Sequence, residues 1–584
     1  MLSHFLRKFW PSGWHVPHAR ARTLGTTGRR WCLTPDADAV LGPDGPNLER
    51  WVAMGAAEVV KTGPHRTVYR VSLPGGTVYV KHCRISGIRA WVREVLRPAK
   101  ARLEFENALA LAERGVPAVL PLAWGGPDSH WPGESFLVTR SRDGVVPFVH
   151  FTEHVLPDLH PVARDAARRQ LARALGQFLA RLHDAGVIHP DPHPGNLLVE
   201  LPPSHVPRFY LIDLHDVRVS CPLSWTESRA NLILFNRWFQ LRVSRTDRAR
   251  FWHSYRRSRQ FLPLPAPERW ADQAREVERG TAASNLRFWA GRVSRCLGRN
   301  RHFKAVSANT VSGYAVRDLP GEFLAELLAD PAAALARPGG RRLKDSPTST
   351  VAEFVIQTAE GPKAVVLKRV LLRRWLDTLK NLLRRSPALR SWVAGHALRD
   401  RWLPTPRPLA VLHQSRWGFP AEGFLLTEKV PNPIGLPEAV ASLQKLLPRD
   451  RERRFRVWSA RIARMVRTMH DRAISHRDLK APNVILEGAA THPDCATPVL
   501  IDLVGVRVGR AVPFRQRAKE LARLNASFLN SRLVTRTDRL RFLRMYLGAG
   551  EELGMGGWRV WWAAIREATA AKIAKNQRTG RPLG

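Results

Sequence analysis

Cysteine is scarce in this 584-residue chain. Cys32, Cys83, Cys221, Cys296 and Cys495 form no CxxC pair and no metal-ligand spacing. That excludes a disulfide framework or a structural zinc site and fits a reducing cytoplasm. Long apolar runs are also missing. No stretch approaches the roughly 18 to 20 uncharged residues that a bilayer span needs. Met1 to Trp10 breaks its short apolar run with Arg7 and Lys8, so neither a span nor a standard export signal is expected. Acid is in deficit: 50 Asp and Glu stand against 93 Lys and Arg, a formal net charge of +43. A field of that sign selects polyanionic partners, whether nucleic acid, an anionic membrane face or a phosphorylated glycolipid. No GxGxxG run occurs, which removes the usual glycine-rich phosphate cover.

Against these absences stands one dense stretch, His476-Arg477-Asp478-Leu479-Lys480-Ala481-Pro482-Asn483, followed by Val499-Leu500-Ile501-Asp502-Leu503. The spacing fits phosphoryl transfer. One carboxylate accepts or orients a hydroxyl proton, an amide oxygen further along the loop reaches a magnesium ion, and a second carboxylate holds metal between phosphates. Asp478, Asn483 and Asp502 fill those roles. The pattern also appears earlier, as His189-Pro190-Asp191-Pro192-His193-Pro194-Gly195-Asn196 followed by Tyr210-Leu211-Ile212-Asp213-Leu214.

The duplication extends well beyond the loops. Lys81 and Lys368, Pro117 and Pro404, His189 and His476, Asp191 and Asp478, and Asn196 and Asn483 are each 287 positions apart. Asp213 and Asp502 are 289 apart, which places a two-residue insertion before the second metal strand. Ser244-Arg245-Thr246-Asp247-Arg248 returns as Thr535-Arg536-Thr537-Asp538-Arg539. Whole domains are therefore repeated, and a chain of this length calls for two of roughly 250 to 300 residues. The expected division is an irregular basic segment over 1–46, a first domain over 47–305 and a second over 306–584.

Within the first half, Val59 to Val71 and Thr77 to His82 read as strands joined by a Pro74-Gly75-Gly76 turn. Alternation puts Lys81 on the face opposite Val78 and Val80, where it can enter a cleft. A buried lysine is costly unless paired, and the duplicate Lys368 favours a phosphate-gripping role for both. Glu104, on a following helical run, is the candidate partner for Lys81, with Glu106 close behind. At the same offset the second half has Ser391, so it lacks that acid. Basic amphipathic segments follow each lysine strand. One carries Ile88, Trp91, Val92, Val95 and Leu96 among Arg89, Arg93 and Arg97. The other carries Leu372, Leu376, Leu379 and Leu383 among Arg373, Arg374, Lys380, Arg384 and Arg385. Each suits a core-facing surface helix or a membrane-interface helix about equally.

Together the hairpin lysine, the basic helix, the HxDxxxxN loop, the Ile-Asp-Leu strand and the Thr-Asp-Arg-x-Arg-Phe segment resemble the lipopolysaccharide core kinases, the Kdo- and heptose-kinase family. The resemblance covers nearly everything after residue 50, twice. It implies an α+β chain of two tandem protein-kinase-like bilobal domains, each a small β-rich lobe plus a larger helical lobe. The implied activity is ATP-dependent phosphorylation of a glycolipid sugar at the inner face of the cytoplasmic membrane, with the protein peripherally attached to an anionic surface. By that resemblance Lys81 and Lys368 contact phosphates, Asp191 and Asp478 act as bases, and Asn196, Asp213, Asn483 and Asp502 bind Mg2+.

The first loop is also similar to that of the ubiquinone-biosynthesis atypical kinases. A tandem pseudokinase scaffold is a further alternative, and nucleic-acid binding is supported by charge alone. Of the two bases, Asp478 is expected to be the indispensable one. Lys480, two residues on, offers an ammonium to the transferred phosphoryl group, where the first loop has His193, a side chain expected to be neutral near pH 7.

Overall fold

The computed structural model describes residues 22–26, 28–129, 131–201, 206–262, 267–371, 385–416, 419–509, 511–551 and 557–580. The chain divides into two compact units, Met1–Ser284 and Asn285–Gly584.

The first unit opens with seven strands: β1 (Arg22–Thr26), β2 (Arg29–Leu33), β3 (Ala57–Thr62), β4 (Arg66–Leu73), β5 (Gly76–Cys83), β6 (Pro121–Pro127) and β7 (Ser135–Arg140). They form one antiparallel sheet in the order β1-β2-β6-β7-β5-β4-β3. Period-two alternation decides the faces. Val78 and Val80 enter a core with Trp31, Leu33, Leu122 and Phe136, while Tyr79 and Lys81 stay half-buried on the other side. Helix α1 (Lys100–Glu113) packs Ala101 and Phe105 on Leu137 of that second face.

A helical lobe follows, with α2 (Pro161–Asp184), α3 (Trp225–Arg242) and α4 (Arg245–Ser258) around Phe178, Trp238 and Tyr255. Ser244 caps α4 by accepting the Asp247 amide at 3.1 Å. In the second unit Thr535 accepts from the Asp538 amide at 3.2 Å, and its own amide donates to the Asp538 carboxylate at 3.1 Å. The repeated Ser/Thr-Arg-Thr-Asp-Arg segment is thus a helix-start signature, satisfying amides that have no partner within the helix.

The second unit repeats the plan. Its strands are β8 (Phe303–Ala308), β9 (Val311–Val316), β10 (Arg341–Ser346), β11 (Ser349–Thr358), β12 (Gly361–Leu371), β13 (Pro408–Arg416) and β14 (Phe419–Glu428). They pair in the order β8-β9-β13-β14-β12-β11-β10, the same as in the first sheet. Helix α5 (Pro387–Asp400) takes the place of α1, and α6 (Pro448–Asp471), α7 (Phe514–Ala526), α8 (Arg536–Glu551) and α9 (Gly557–Arg578) build the second helical lobe. Among the described residues no helix is long and apolar enough to cross a membrane. Both units are the α+β bilobal domains expected of the sequence.

Two expected limits differ from the structure. Residues 22–26 and 28–46 are not irregular. They supply β1, β2 and the helix Ala37–Leu41, with Trp31 and Leu33 fully in the core. Five-residue strands broken by Gly28 and alternating with Arg29 and Arg30, which pair with Glu49 and Asp128, are too short to show a period. The expected boundary at 305 falls inside β8, which is hydrogen-bonded to β9, so the second sheet begins earlier and 330–340 lies within its small lobe.

The first basic segment forms the helix Ile88–Leu96. Its apolar side is mostly solvent-facing, with Ile88 83% and Leu96 63% exposed, and Trp91 stacks on Trp131 at 5.9 Å. Leu372 to Arg384, and Phe5 to Trp10, lie outside the described residues.

Candidate functional site

Lys81 sits in β5 between Val68 of β4 and Leu137 of β7. Its Nζ is ion-paired with the buried Glu104 of α1 and lies 3.7 Å from Asp213 Oδ1. Arg66, two residues before Val68, places Nη1 2.8 Å from the same oxygen. Partial burial alone would raise the Asp213 carboxyl, but Lys81, Arg66 and His215 outweigh it and hold the group at about 2. Glu104, Asp213 and His215 bring ligand atoms within 4.8 Å of one another.

The loop before this strand is tied together by its own polar atoms. The Asp191 amide donates to His189 Nδ1 at 3.2 Å, the Gly195 amide to His193 Nδ1 at 2.9 Å, and Asn196 Nδ2 to the Asp191 carbonyl at 3.0 Å. The Ile212 amide donates to the Asn196 carbonyl at 3.0 Å, so Asn196 and Asp213 are locked in register. Burial lowers the pKa of His193, as expected of a neutral side chain at that position.

The second unit keeps the loop and changes its supports. Lys368 lies in β12 between Val351 and Leu425, and its Nζ pairs directly with Asp502 Oδ1 at 2.8 Å. Ser391 is buried on α5 and donates to the Pro387 carbonyl. Ser349 stands two residues before Val351, where the first unit has Arg66. Burial raises the Asp502 carboxyl, but Lys368, His476 and Lys480 bring the net shift below the usual carboxylate range. Asn483 Nδ2 donates to the Asp478 carbonyl at 2.8 Å and reaches Asp478 Oδ2 at 3.3 Å. Lys480 Nζ is 3.4 Å from that Oδ2. Lys572 of α9 adds to the charge around Asp478. Its pKa is lowered by burial and by the neighbouring cations Arg523, Lys575 and Lys480.

Both metal-strand aspartates adopt left-handed backbone, φ 62° at Asp213 and φ 54° at Asp502. That conformation costs of order 1 kcal/mol or more for a residue with a Cβ and persists only where the surroundings impose it, a common mark of functional sites.

Sequence reasoning missed the posts that hold the loops. In the first unit His183 is buried between Tyr255 Oη at 2.8 Å and Asn231 Oδ1 at 3.2 Å, while Asn231 Nδ2 donates to the His189 carbonyl at 2.8 Å. In the second, His470 sits between Tyr546 Oη at 2.7 Å and Glu520 Oε2 at 3.0 Å, and Glu520 accepts the His476 amide at 2.9 Å. His183 and His470 are 287 positions apart, and Asn231 and Glu520 are 289 apart like the metal aspartates. The histidines keep their identity at the loop offset, whereas the residues that tie them to the loops, Asn231 and Glu520, do not. Beside the second loop, whose Ala481 amide donates to Ser527 Oγ, lies an apolar cavity of about 480 Å³ walled by Trp458, Ile462, Leu524, Phe528, Phe542 and Trp562.

The model of the lipopolysaccharide kinase (Kdo/WaaP) family matches residues 66–255 and again 347–546. Over 177 residues the chain is 32% identical to the lipopolysaccharide core heptose(I) kinase WaaP of Escherichia coli strain K12, covering 30% of this chain and 66% of that protein. Over 143 residues it is 30% identical to the 3-deoxy-D-manno-octulosonic acid kinase of Haemophilus influenzae strain 86-028NP, covering 24% of this chain and 54% of that one. The chain thus spans somewhat less than two thirds of these relatives' length. A solved structure of WaaP in complex with acyl carrier protein aligns with 23% identity and a TM-score of 0.33, over 43% of this chain and 96% of that one.

Proposed function

The chain belongs to the lipopolysaccharide kinase (Kdo/WaaP) family, and on that premise we propose that it transfers a phosphoryl group from ATP to a sugar hydroxyl of a lipopolysaccharide-type glycolipid. The observation that carries this reading is the meeting of Lys81, buried Glu104 and ionised Asp213, in register with the loop that bears Asp191 and Asn196. A strand lysine oriented by a helix glutamate is a means of fixing nucleotide phosphates. Asp213 with Asn196, and Asp502 with Asn483, are hard oxygen donors of the kind Mg2+ selects, and both aspartates are held ionised. When bound, that ion neutralises phosphate charge.

Asp191 and Asp478 are the proposed acceptors of the acceptor's hydroxyl proton, and both are exposed. We assign the indispensable step to Asp478, because Lys480 and Lys572 surround it with ammonium charge and the apolar cavity beside its loop suits the lipid part of an acceptor. The absence of glutamate at Ser391 favours a second reading, in which the second unit binds nucleotide without transfer. A single comparison decides. In the full chain, with labelled ATP and a membrane glycolipid fraction, Asp478→Asn is expected to cut transfer by roughly 10² to 10⁴, the contribution of a positioned base. Loss with Asp191→Asn alone would reverse the assignment, and loss with neither would reject the kinase reading.

The exposed apolar side of Ile88–Leu96, beside exposed Arg93 and Arg97, supports peripheral attachment to the anionic inner face of the cytoplasmic membrane.

A further inference from the structure

Within the second unit, away from Lys368, Asp478 and Asp502, a cavity of about 480 Å³ lies among the segment that leads into β8, the end of β9, and the last turn of α5. Five guanidinium groups line it: Arg292, Arg295, Arg301, Arg317 and Arg407. Among the described residues the carboxylates lining it are Asp318 and Asp400. Asp318 is taken, since Arg407 grips both its oxygens at 2.7 and 2.8 Å. Asp400 makes no ion pair among the described residues, and neither do Arg292 and Arg295. The C-terminal dipole of α5 contributes about half a negative charge, too little to balance what remains.

The walls sharpen the mismatch. Burial and the neighbours Arg295 and Arg301 lower the pKa of Arg292 while Asp400 alone opposes them, so one carboxylate faces several crowded cations. His396, on α5, has its Nε2 buried with no hydrogen-bond partner. Burial holds that imidazole at about 3, so it is neutral at physiological pH and offers hydrogen bonding rather than further charge. A buried polar atom left unpaired costs of order 1 to 3 kcal/mol, and a ligand that meets it removes the cost.

We infer that this cavity is a second binding site, for an anion bearing phosphate groups. Guanidinium forks match phosphate oxygens in pairs. The volume lies in the range of small-molecule sites and exceeds what one orthophosphate fills, so the ligand is a phosphorylated sugar, a diphosphate or a phosphate-bearing headgroup. None of the residues assigned to nucleotide or acceptor lines it, so the inference stands apart from the phosphotransfer reading.

The test titrates the full chain calorimetrically with inorganic pyrophosphate, without magnesium, in a Lys81→Met/Lys368→Met background that silences the nucleotide lysines. Binding is expected, and Arg292→Ser/Arg295→Ser is expected to weaken it at least tenfold. Arg295→Glu, a single change at a half-buried position, gives the same result if the double variant melts early. Glucose 6-phosphate and phosphatidylglycerol vesicles, with phosphatidylcholine vesicles as control, then separate a soluble phosphate ester from a headgroup. Pyrophosphate binding that is absent, or that survives Arg295→Glu unchanged, overturns the site.

Discussion

Arg66 and Asp213 meet at 2.8 Å in the first unit, and the second unit has lost the arginine together with the glutamate that accompanies it. Four charges, Lys81, Arg66, Glu104 and Asp213, form a neutral set in one unit. Two, Lys368 and Asp502, form a neutral set in the other. Replacement by Ser349 and Ser391 together keeps each cleft balanced, whereas losing either charge alone would leave a partly buried ion unpaired.

Arg66 therefore competes with metal for Asp213. Arg66→Ser is expected to tighten magnesium-dependent nucleotide binding to the first unit. The gain is up to about fivefold, because a partly exposed pair contributes no more than about 1 kcal/mol. Calorimetry with Asp502→Ala as the common background measures it. Weaker binding would instead make Arg66 a phosphate ligand.

Breaking the other pair has a larger cost. Lys81 and Glu104 are mostly buried, and removing one partner of such a pair destabilises by about 3 kcal/mol. Glu104→Gln should lower the urea midpoint of the first unit and abolish its nucleotide binding, while Ser391→Ala leaves both properties of the second unit unchanged. A Glu104→Gln protein with wild-type stability and binding would refute the pairing.

Acid should weaken the first unit through His183. Its native pKa is depressed to about 4 by burial, against about 6.5 unfolded, so the unfolded chain binds the extra proton. The stabilisation is complete above pH 6.5 and is lost progressively as pH falls to 4, a total of about 3 kcal/mol. Asp213, held at about 2, adds a separate loss below its unfolded value near 3.8. His183→Gln should be less stable at pH 7 yet show a flatter decline in melting temperature between pH 7 and 4.5. An unchanged slope would remove His183 from this role.

The helix Ile88–Leu96 supplies the membrane test. Ile88→Gln/Trp91→Gln/Leu96→Gln should reduce sedimentation with phosphatidylglycerol vesicles, and high salt should release the wild type because surface attraction decays over a Debye length. Equal sedimentation of variant and wild type would return this face to another partner.

The loops, the metal strands and the duplication were legible because phosphoryl chemistry fixes residue types at short spacing. Lys81 and Glu104 could be matched for the same reason, although 23 positions separate them. Arg66 could not be read, since nothing local marks an arginine that will reach a carboxylate 147 positions away. Asn231 and Glu520 share a role but not a residue type, which hides them from a search for identities. The arginine cavity is assembled from β8, β9 and α5, elements brought together only by the sheet order. The basic segment at Ile88 has the pattern of a packed helix and is exposed nonetheless, because periodicity describes a face and not what covers it.

The hairpin β1–β2 has a practical bearing on dissecting the chain. β2 covers the edge of β6, and in the second unit β8 covers the edge of β9. A fragment starting at residue 47, or one starting at 306 in the middle of β8, would present a bare row of N–H and C=O groups beside an uncovered apolar patch. Uncapped edges of that kind pair with one another between molecules. Insolubility of fragments cut there would report a missing strand rather than an inability of either half to fold, and soluble halves require starts before Arg22 and before Phe303.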